Sequence, residues 1–282
     1  MQVKTENLEY IYMAGTPYAK TAISDINIEI GEGEFVGLIG HTGSGKSTLI
    51  QHLNGLVKPT SGRVLVDGKD INSKEVSLRQ LRFKIGLVFQ YPEYQLFDET
   101  VISDIAFGPK NLGLSEAEAY AHAREAMELV GLSPELEEKS PLELSGGQKR
   151  RVAIAGVLAM KPELLILDEP AAGLDPRGRK EILSRIKELH EKHGMSILLV
   201  SHSMEDIARM AERVIIIKEG KIAKEGTPEE IFSLGDELKS YGLDVPQITK
   251  LVNKLKAAGV CLPDNIYTVS KAEEEILRLF TR

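Results

Sequence analysis

The sequence predicts an α/β fold: a mostly parallel sheet between helices, with a small antiparallel β-layer beside it. Three observations carry that expectation. Short unbroken apolar runs, FVGLIG (Phe35 to Gly40), LLIL (Leu164 to Leu167) and SILLVS (Ser196 to Ser201), have the length and composition of strands buried on both faces. Helical patterns alternate with these runs, as in parallel-sheet domains. Between Gly40 and Ser47 the chain reads GHTGSGKS, a phosphate-binding loop placed between such a strand and the helix STLIQHLNG, which stops at Gly55.

The flanking elements follow in order. Segments near Val3 to Tyr10, Ala22 to Ile30 and Arg63 to Val66 read as antiparallel strands joined by glycine-rich turns, which supplies the β-layer. Ser115 and Glu118 form a capping box ahead of AEAYAHAREAMELV, and Gly131 ends that helix. Pro176 opens another helix that closes before Gly194. RVIIIKEGKIAKEG reads as a hairpin turning at Glu219 and Gly220, and Thr227, Pro228 and Glu230 start a capped helix.

Composition bounds the function. The chain has 282 residues, 42% of them hydrophobic, enough for one large domain or a domain with an extension. Its longest apolar runs are far shorter than the ~18 residues of a spanning helix. The N-terminus shows no charged-then-apolar leader and Cys261 has no cysteine partner in the chain, so the cytoplasm is the expected compartment. A net charge of −7 provides no global positive field for a polyanion, and no nucleic-acid partner is expected.

The chemistry follows from residue type. Gly40, Gly43 and Gly45 let backbone N–H groups curl around phosphate oxygens, Lys46 supplies a point charge, and the Ser47 hydroxyl suits Mg²⁺. LLILDE ends a buried strand in two carboxylates at the functional edge of a parallel sheet. Asp168 suits a metal, directly or through water, and Glu169 suits a base for water attacking a γ-phosphate. His202 follows SILLVS and is expected at the same edge. A second glycine-rich segment, LSGGQ (Leu144 to Gln148), opens another helix. Two anion-binding helix starts in one chain suggest that the nucleotide is shared between chains.

The ordered set GHTGSGKS, Gln90 after IGLVF, LSGGQ, LLILDE, GLDP and His202 resembles the nucleotide-binding domain of ATP-binding-cassette proteins across roughly residues 1–233. The resemblance implies a phosphate-loop NTPase fold with a RecA-like core, the antiparallel β-layer, a helical subdomain near 91–160 and a small C-terminal helical extension over 236–282, the cassette itself filling 1–235. It implies ATP and Mg²⁺ as cofactors. Gly40, His41, Thr42, Gly43, Ser44, Gly45, Lys46, Ser47 and Thr48 then form the phosphate cradle, although no role for the His41 side chain follows. Ser47, Gln90 and Asp168 surround Mg²⁺, with Gln90 sensing the γ-phosphate, Glu169 acting as base and His202 bonding the γ-phosphate. Ser145, Gly146, Gly147 and Gln148 grip the nucleotide of the opposite subunit, and Asp175 communicates across the dimer. Tyr12 is the chosen adenine platform, with Tyr10 and Tyr18 as rivals.

Three further segments refine the resemblance. Phe89, Tyr91, Tyr94, Phe97 and Phe107 cluster in the sequence, either as subdomain core or as a groove for a membrane partner's coupling helix. FQYPEYQLF and VAIAGVLAMKP are similar to the energy-coupling-factor ATPases of vitamin and transition-metal uptake. So is the tail, where GLDVP (Gly242 to Pro246) precedes a stripe of Ile248, Leu251, Val252 and Leu255. Ser270 and Glu273 are expected to cap the helix that follows. The implied partners are a second ATPase subunit (homodimer or heterodimer), an integral membrane coupling subunit and a substrate-binding membrane subunit, placing the chain peripherally at the cytoplasmic face of the cell membrane. No sustained heptad argues for a DNA-repair cassette, and one cassette rather than two argues against the translation type.

Overall fold

The structure, a computed structural model, describes residues 1–235 and 237–280. Asp236, Thr281 and Arg282 of the expected extension lie outside the described residues. The strands are β1 (Val3–Tyr12), β2 (Lys20–Ile26), β3 (Glu29–Ile30), β4 (Phe35–Ile39), β5 (Ser61–Val66), β6 (Lys69–Asp70), β7 (Ile85–Val88), β8 (Leu164–Asp168), β9 (Ser196–Val200), β10 (Arg213–Lys218) and β11 (Lys221–Gly226). The α-helices are α1 (Lys46–Leu53), α2 (Leu78–Lys84), α3 (Val101–Leu112), α4 (Glu116–Leu129), α5 (Gly146–Leu158), α6 (Pro176–His193), α7 (Met204–Met210), α8 (Pro228–Phe232), α9 (Glu237–Ser240), α10 (Gln247–Ala257) and α11 (Val269–Phe280).

Six strands form the central sheet in the order β11-β10-β4-β9-β8-β7, parallel except for the β10–β11 hairpin. Every residue of β4, β8 and β9 is buried, which is why these strands read as unbroken apolar runs. Alternation along each strand feeds two cores. Phe35, Leu165, Leu167, Ile197 and Leu199 face a large cluster shared with α3, α4 and α5. Val36, Leu38, Leu164, Ile166, Leu198 and Val200 face the antiparallel layer. Asp168 pairs in register with Val200, and Leu38 pairs with Val200 from the other side, so the chain leaves β4, β8 and β9 at one common edge.

The antiparallel sheet runs β2-β1-β5-β6, with β3 also on β1. The single strand expected over Ala22 to Ile30 is two strands, interrupted at Asn27 and Ile28. Thr5 splices the break: its hydroxyl donates to the Ile26 carbonyl at 2.9 Å and accepts from the Ile28 amide at 3.0 Å. Asn27 Oδ1 accepts from the Asn7 amide at 2.8 Å, and Asp25 takes a left-handed φ of 53°.

In the helical layer the Ser115–Glu118 capping box forms as read, and α4 buries Ala119, Ala123, Ala126 and Met127. Beyond α8, Leu238, Leu243 and Val245 still belong to the main core, so the GLDVP segment is docked on the cassette. The last two helices have a separate small core of Val252, Leu262, Ile266 and Ala272, joined by Ile248 and Leu255. Leu251 departs from the expected stripe and is 48% exposed. The cap of α11 also differs. Thr268 Oγ1 accepts from the Lys271 amide at 3.3 Å, while Ser270 lies inside the first turn.

Candidate functional site

The loop after β4 is shaped by close backbone approach. A Cβ at Gly40 would lie 2.3 Å from the Ile217 carbonyl oxygen, so only glycine fits where the loop turns over β10. Gly45 has φ 109°, and a Cβ there would meet the Ala22 carbonyl at 2.8 Å. Lys46 closes the loop by donating to the carbonyls of Gly40 at 2.7 Å and His41 at 3.1 Å. Burial lowers the proton affinity of its ammonium, opposed by the carboxylates of Glu169 and Asp168. The Ser44 side chain is buried while its carbonyl accepts from the Gly220 amide, so Ser44 ties the loop to the β10–β11 turn. His41 Nδ1 donates to the Thr42 carbonyl at 2.8 Å, which fixes the His41 ring beside the loop. Gly242 lies against that ring.

A cavity of about 480 Å³ opens over this loop, lined by His41, Gly43, Gly45, Lys46, Ser47 and Thr48 and by Tyr12. The Tyr12 hydroxyl stands 3.2 Å from Thr48 Oγ1 and its ring meets Tyr10 edge-on. Tyr10 is packed against buried His52, and Tyr18 projects into solvent. Of the three tyrosines, Tyr12 alone lines the cavity. Lys20, Thr21, Ala22, Glu219 and Gly220 complete the wall. No local pattern in the sequence marks these as lining residues, because their approach is a long-range consequence of layer packing.

The carboxylates meet this loop at the shared sheet edge. Ser47 Oγ donates to Asp168 Oδ2 at 3.3 Å. Burial, and then the neighbouring Glu169 carboxylate, push the Asp168 carboxyl above its ordinary range, against the opposing pull of Ser47, Lys46 and His202. Glu169 has a left-handed φ of 50°, held by its amide donating to the Val200 carbonyl and its carbonyl accepting from the Ala172 amide, both at 3.0 Å. His202 Nε2 lies 2.6 Å from Glu169 Oε1, and Gln90 Nε2 donates to Glu169 Oε2 at 3.5 Å. Four strand ends, those of β4, β7, β8 and β9, thus bring Lys46, Ser47, Gln90, Asp168, Glu169 and His202 together. Hydroxyl and carboxylate oxygens side by side at a phosphate cradle are hard donors of the kind Mg²⁺ takes.

The second glycine-rich start is elsewhere. Ser145 caps α5, its hydroxyl accepting from the Gln148 amide at 3.3 Å while Gln148 Oε1 accepts from the Ser145 amide at 2.9 Å. Gln148 is therefore occupied as half of a capping box. A Cβ at Gly146 or Gly147 would meet nothing within 4 Å, so this helix tip is open. Asp175 caps α6 through the Gly178 amide at 2.7 Å. Ser145, Gly146, Gly147 and Asp175 line one cleft of about 570 Å³, and none of them lines the phosphate-loop cavity.

The aromatic cluster divides. Phe97 and Phe107 are 65% and 45% exposed, meet edge-to-face at 4.8 Å, and line an apolar groove of about 530 Å³ with Phe83, Val157 and Met160. Tyr91 turns the other way, toward Arg150 and Gly173.

A fold and a sheet edge of this kind define a nucleotide-binding cassette. Residues 23–172 match the ABC transporter family. The chain is 60% identical to the energy-coupling factor transporter ATP-binding protein EcfA2 of Caldanaerobacter subterraneus, over 99% of this chain and 97% of that protein. It is 58% identical to EcfA2 of Clostridium tetani, over 99% and 98%. Among solved structures, cbiO1 from Clostridium perfringens, part of the ABC transporter complex cbiONQ, superposes with TM-score 0.75 at 40% identity, covering 89% of this chain and 98% of that one. The cassette MJ0796, captured as a dimer after hydrolysis with ADP and Pi, superposes with TM-score 0.71 at 33% identity, covering 80% and 98%. The chain belongs to the ABC transporter family, in the branch of energy-coupling factor ATP-binding proteins. Among the described residues no helix is long and apolar enough to cross a membrane.

Proposed function

We propose that this chain is the ATP-hydrolysing motor subunit of an energy-coupling-factor importer, bound peripherally at the cytoplasmic face of the cell membrane. The observation that carries the reading is the separation of the two glycine-rich helix starts into different clefts, with the second one open to solvent. A triphosphate held by Lys46 and Ser47 is completed by Ser145, Gly146 and Gly147 of a second ATPase subunit, as in a heterodimer of related cassettes. Tyr12 supplies the face for adenine. Ser47 and Asp168, with Gln90, hold Mg²⁺, which when bound neutralises charge on the phosphate oxygens.

The chain's own residues do the rest. Glu169 accepts a proton from the attacking water, and His202, at 2.6 Å, fixes the carboxylate's orientation and reaches the γ-phosphate. Asp175 joins the two protomers. The groove at Phe97 and Phe107 receives the coupling helix of an integral membrane subunit, which works with a substrate-binding membrane subunit. ATP drives this partner because it binds the closed dimer more tightly than the open one. Glu169→Gln should bind ATP with parental affinity while kcat falls about 10²- to 10⁴-fold; a variant hydrolysing at the parent rate removes Glu169 from the role of base.

A further inference from the structure

Arg150 has 1% of its surface exposed, and nothing in the phosphate cradle or the carboxylate edge accounts for it. It sits early in α5, behind the open helix tip. Its Nε and Nη2 donate to Glu93 Oε2 and Oε1 at 2.9 and 2.6 Å, a bidentate ion pair. Its Nη1 donates to the Pro170 carbonyl at 3.2 Å and to the Ala172 carbonyl. The guanidinium lies 5.7 Å from the centre of the Tyr91 ring, and Tyr91, next to Gln90, has a left-handed φ of 55°. A Cβ on Gly173 would stand 3.5 Å from that same ring.

One side chain thus fastens three segments: the residues following Gln90, the helix led by Ser145, and the loop between Glu169 and Asp175. Burying a guanidinium is costly, and apolar residues of similar volume hold helices together at least as well. Retention of a charge with every nitrogen engaged therefore points to fixed geometry rather than to adhesion. Glu93 is the second residue of the short 3₁₀ turn (Pro92–Gln95) that runs directly into Leu96 and Phe97 of the apolar groove.

We propose that Arg150 and Glu93 form a positioning pair, linking displacement at the aromatic groove to the placement of both Ser145 and the Glu169–Asp175 loop. The pair touches no reacting atom and acts through those segments. This inference rests on the ATPase reading above. Its test uses Glu93→Gln, which keeps volume and removes the charge, and Arg150→Lys, which keeps the charge and loses the fork. Both are measured beside Glu169→Gln in the full-length chain within its assembled transporter. Affinity for a fluorescent ATP analogue and KM should stay within about twofold of the parent, while kcat per folded chain drops about 10- to 100-fold in both variants. Parental kcat per folded chain in both, with only the melting temperature lowered, overturns the pair as a positioning device. If instead Glu169→Gln turns over at the parent rate, the ATPase reading fails and the inference falls with it.

Discussion

Asp168 sits where the fold would prefer a neutral group. Its carboxyl is shifted upward by burial and by Glu169, so the folded chain holds that proton more tightly than the unfolded chain does. The sign follows: the group's favourable contribution is complete below the ordinary carboxylate range and is lost as pH rises through the raised value, leaving a destabilising charge near neutrality. Asp168→Asn should therefore raise the melting temperature of the nucleotide-free protein by a few degrees near about pH 7, and the gap to the parent should shrink toward about pH 4. Circular dichroism melts across that range check it; a gap independent of pH contradicts the assignment. The common placement of Lys46, Glu169 and His202 is legible in the sequence because each follows a buried parallel strand, directly or through a glycine-rich loop. Arg150 is not, because KRR at 149–151 looks like three solvated cations on a helix. Only packing against the loop at Pro170 and Ala172 selects the middle one for burial.

Elements were legible where local pattern and long-range packing agree. Capping boxes at Ser115 and Thr227 and the Glu219–Gly220 turn, with φ of 49° and 76°, rest on neighbours in the chain. The break between β2 and β3 depends instead on Thr5, about twenty residues away, although SDIN (Ser24 to Asn27) carried turn-forming side chains that signal it. Thr5→Val leaves the Ile28 amide without its hydroxyl partner in a buried setting, and should cost about 1–3 kcal/mol in urea unfolding; an unchanged midpoint contradicts the splice. At the start of α11, Thr268 and Ser270 both precede a suitable spacing, and the earlier residue wins by letting Ala272 reach the small tail core. The aromatic segment reads as one cluster in one dimension, yet it divides across two faces. Phe97→Ala removes an exposed ring from the groove and should reduce recovery of the membrane subunit in pull-downs, with ATP affinity unchanged; full recovery argues against the groove as the docking surface.

At the scale of the whole molecule, the proposed shared site is divided between two layers. The parallel sheet and its β-layer build the phosphate cradle with Tyr12, while the helical layer displays Ser145, Gly146 and Gly147 in another cleft. The order of motifs makes that division readable, but the facing of each half is a property of the folded chain. Gly147 offers a clean probe, since a side chain there meets open space and an acidic residue in the first turn favours the helix. The most direct measurement is light scattering of the Glu169→Gln chain, alone and mixed with its paired ATPase subunit, with and without ATP and Mg²⁺. A shared site predicts an ATP-dependent rise to dimer mass in one of those two preparations and its loss when Gly147→Asp is added, with ATP affinity of the monomer retained. ATP-dependent dimers that form equally well with Gly147→Asp would contradict it.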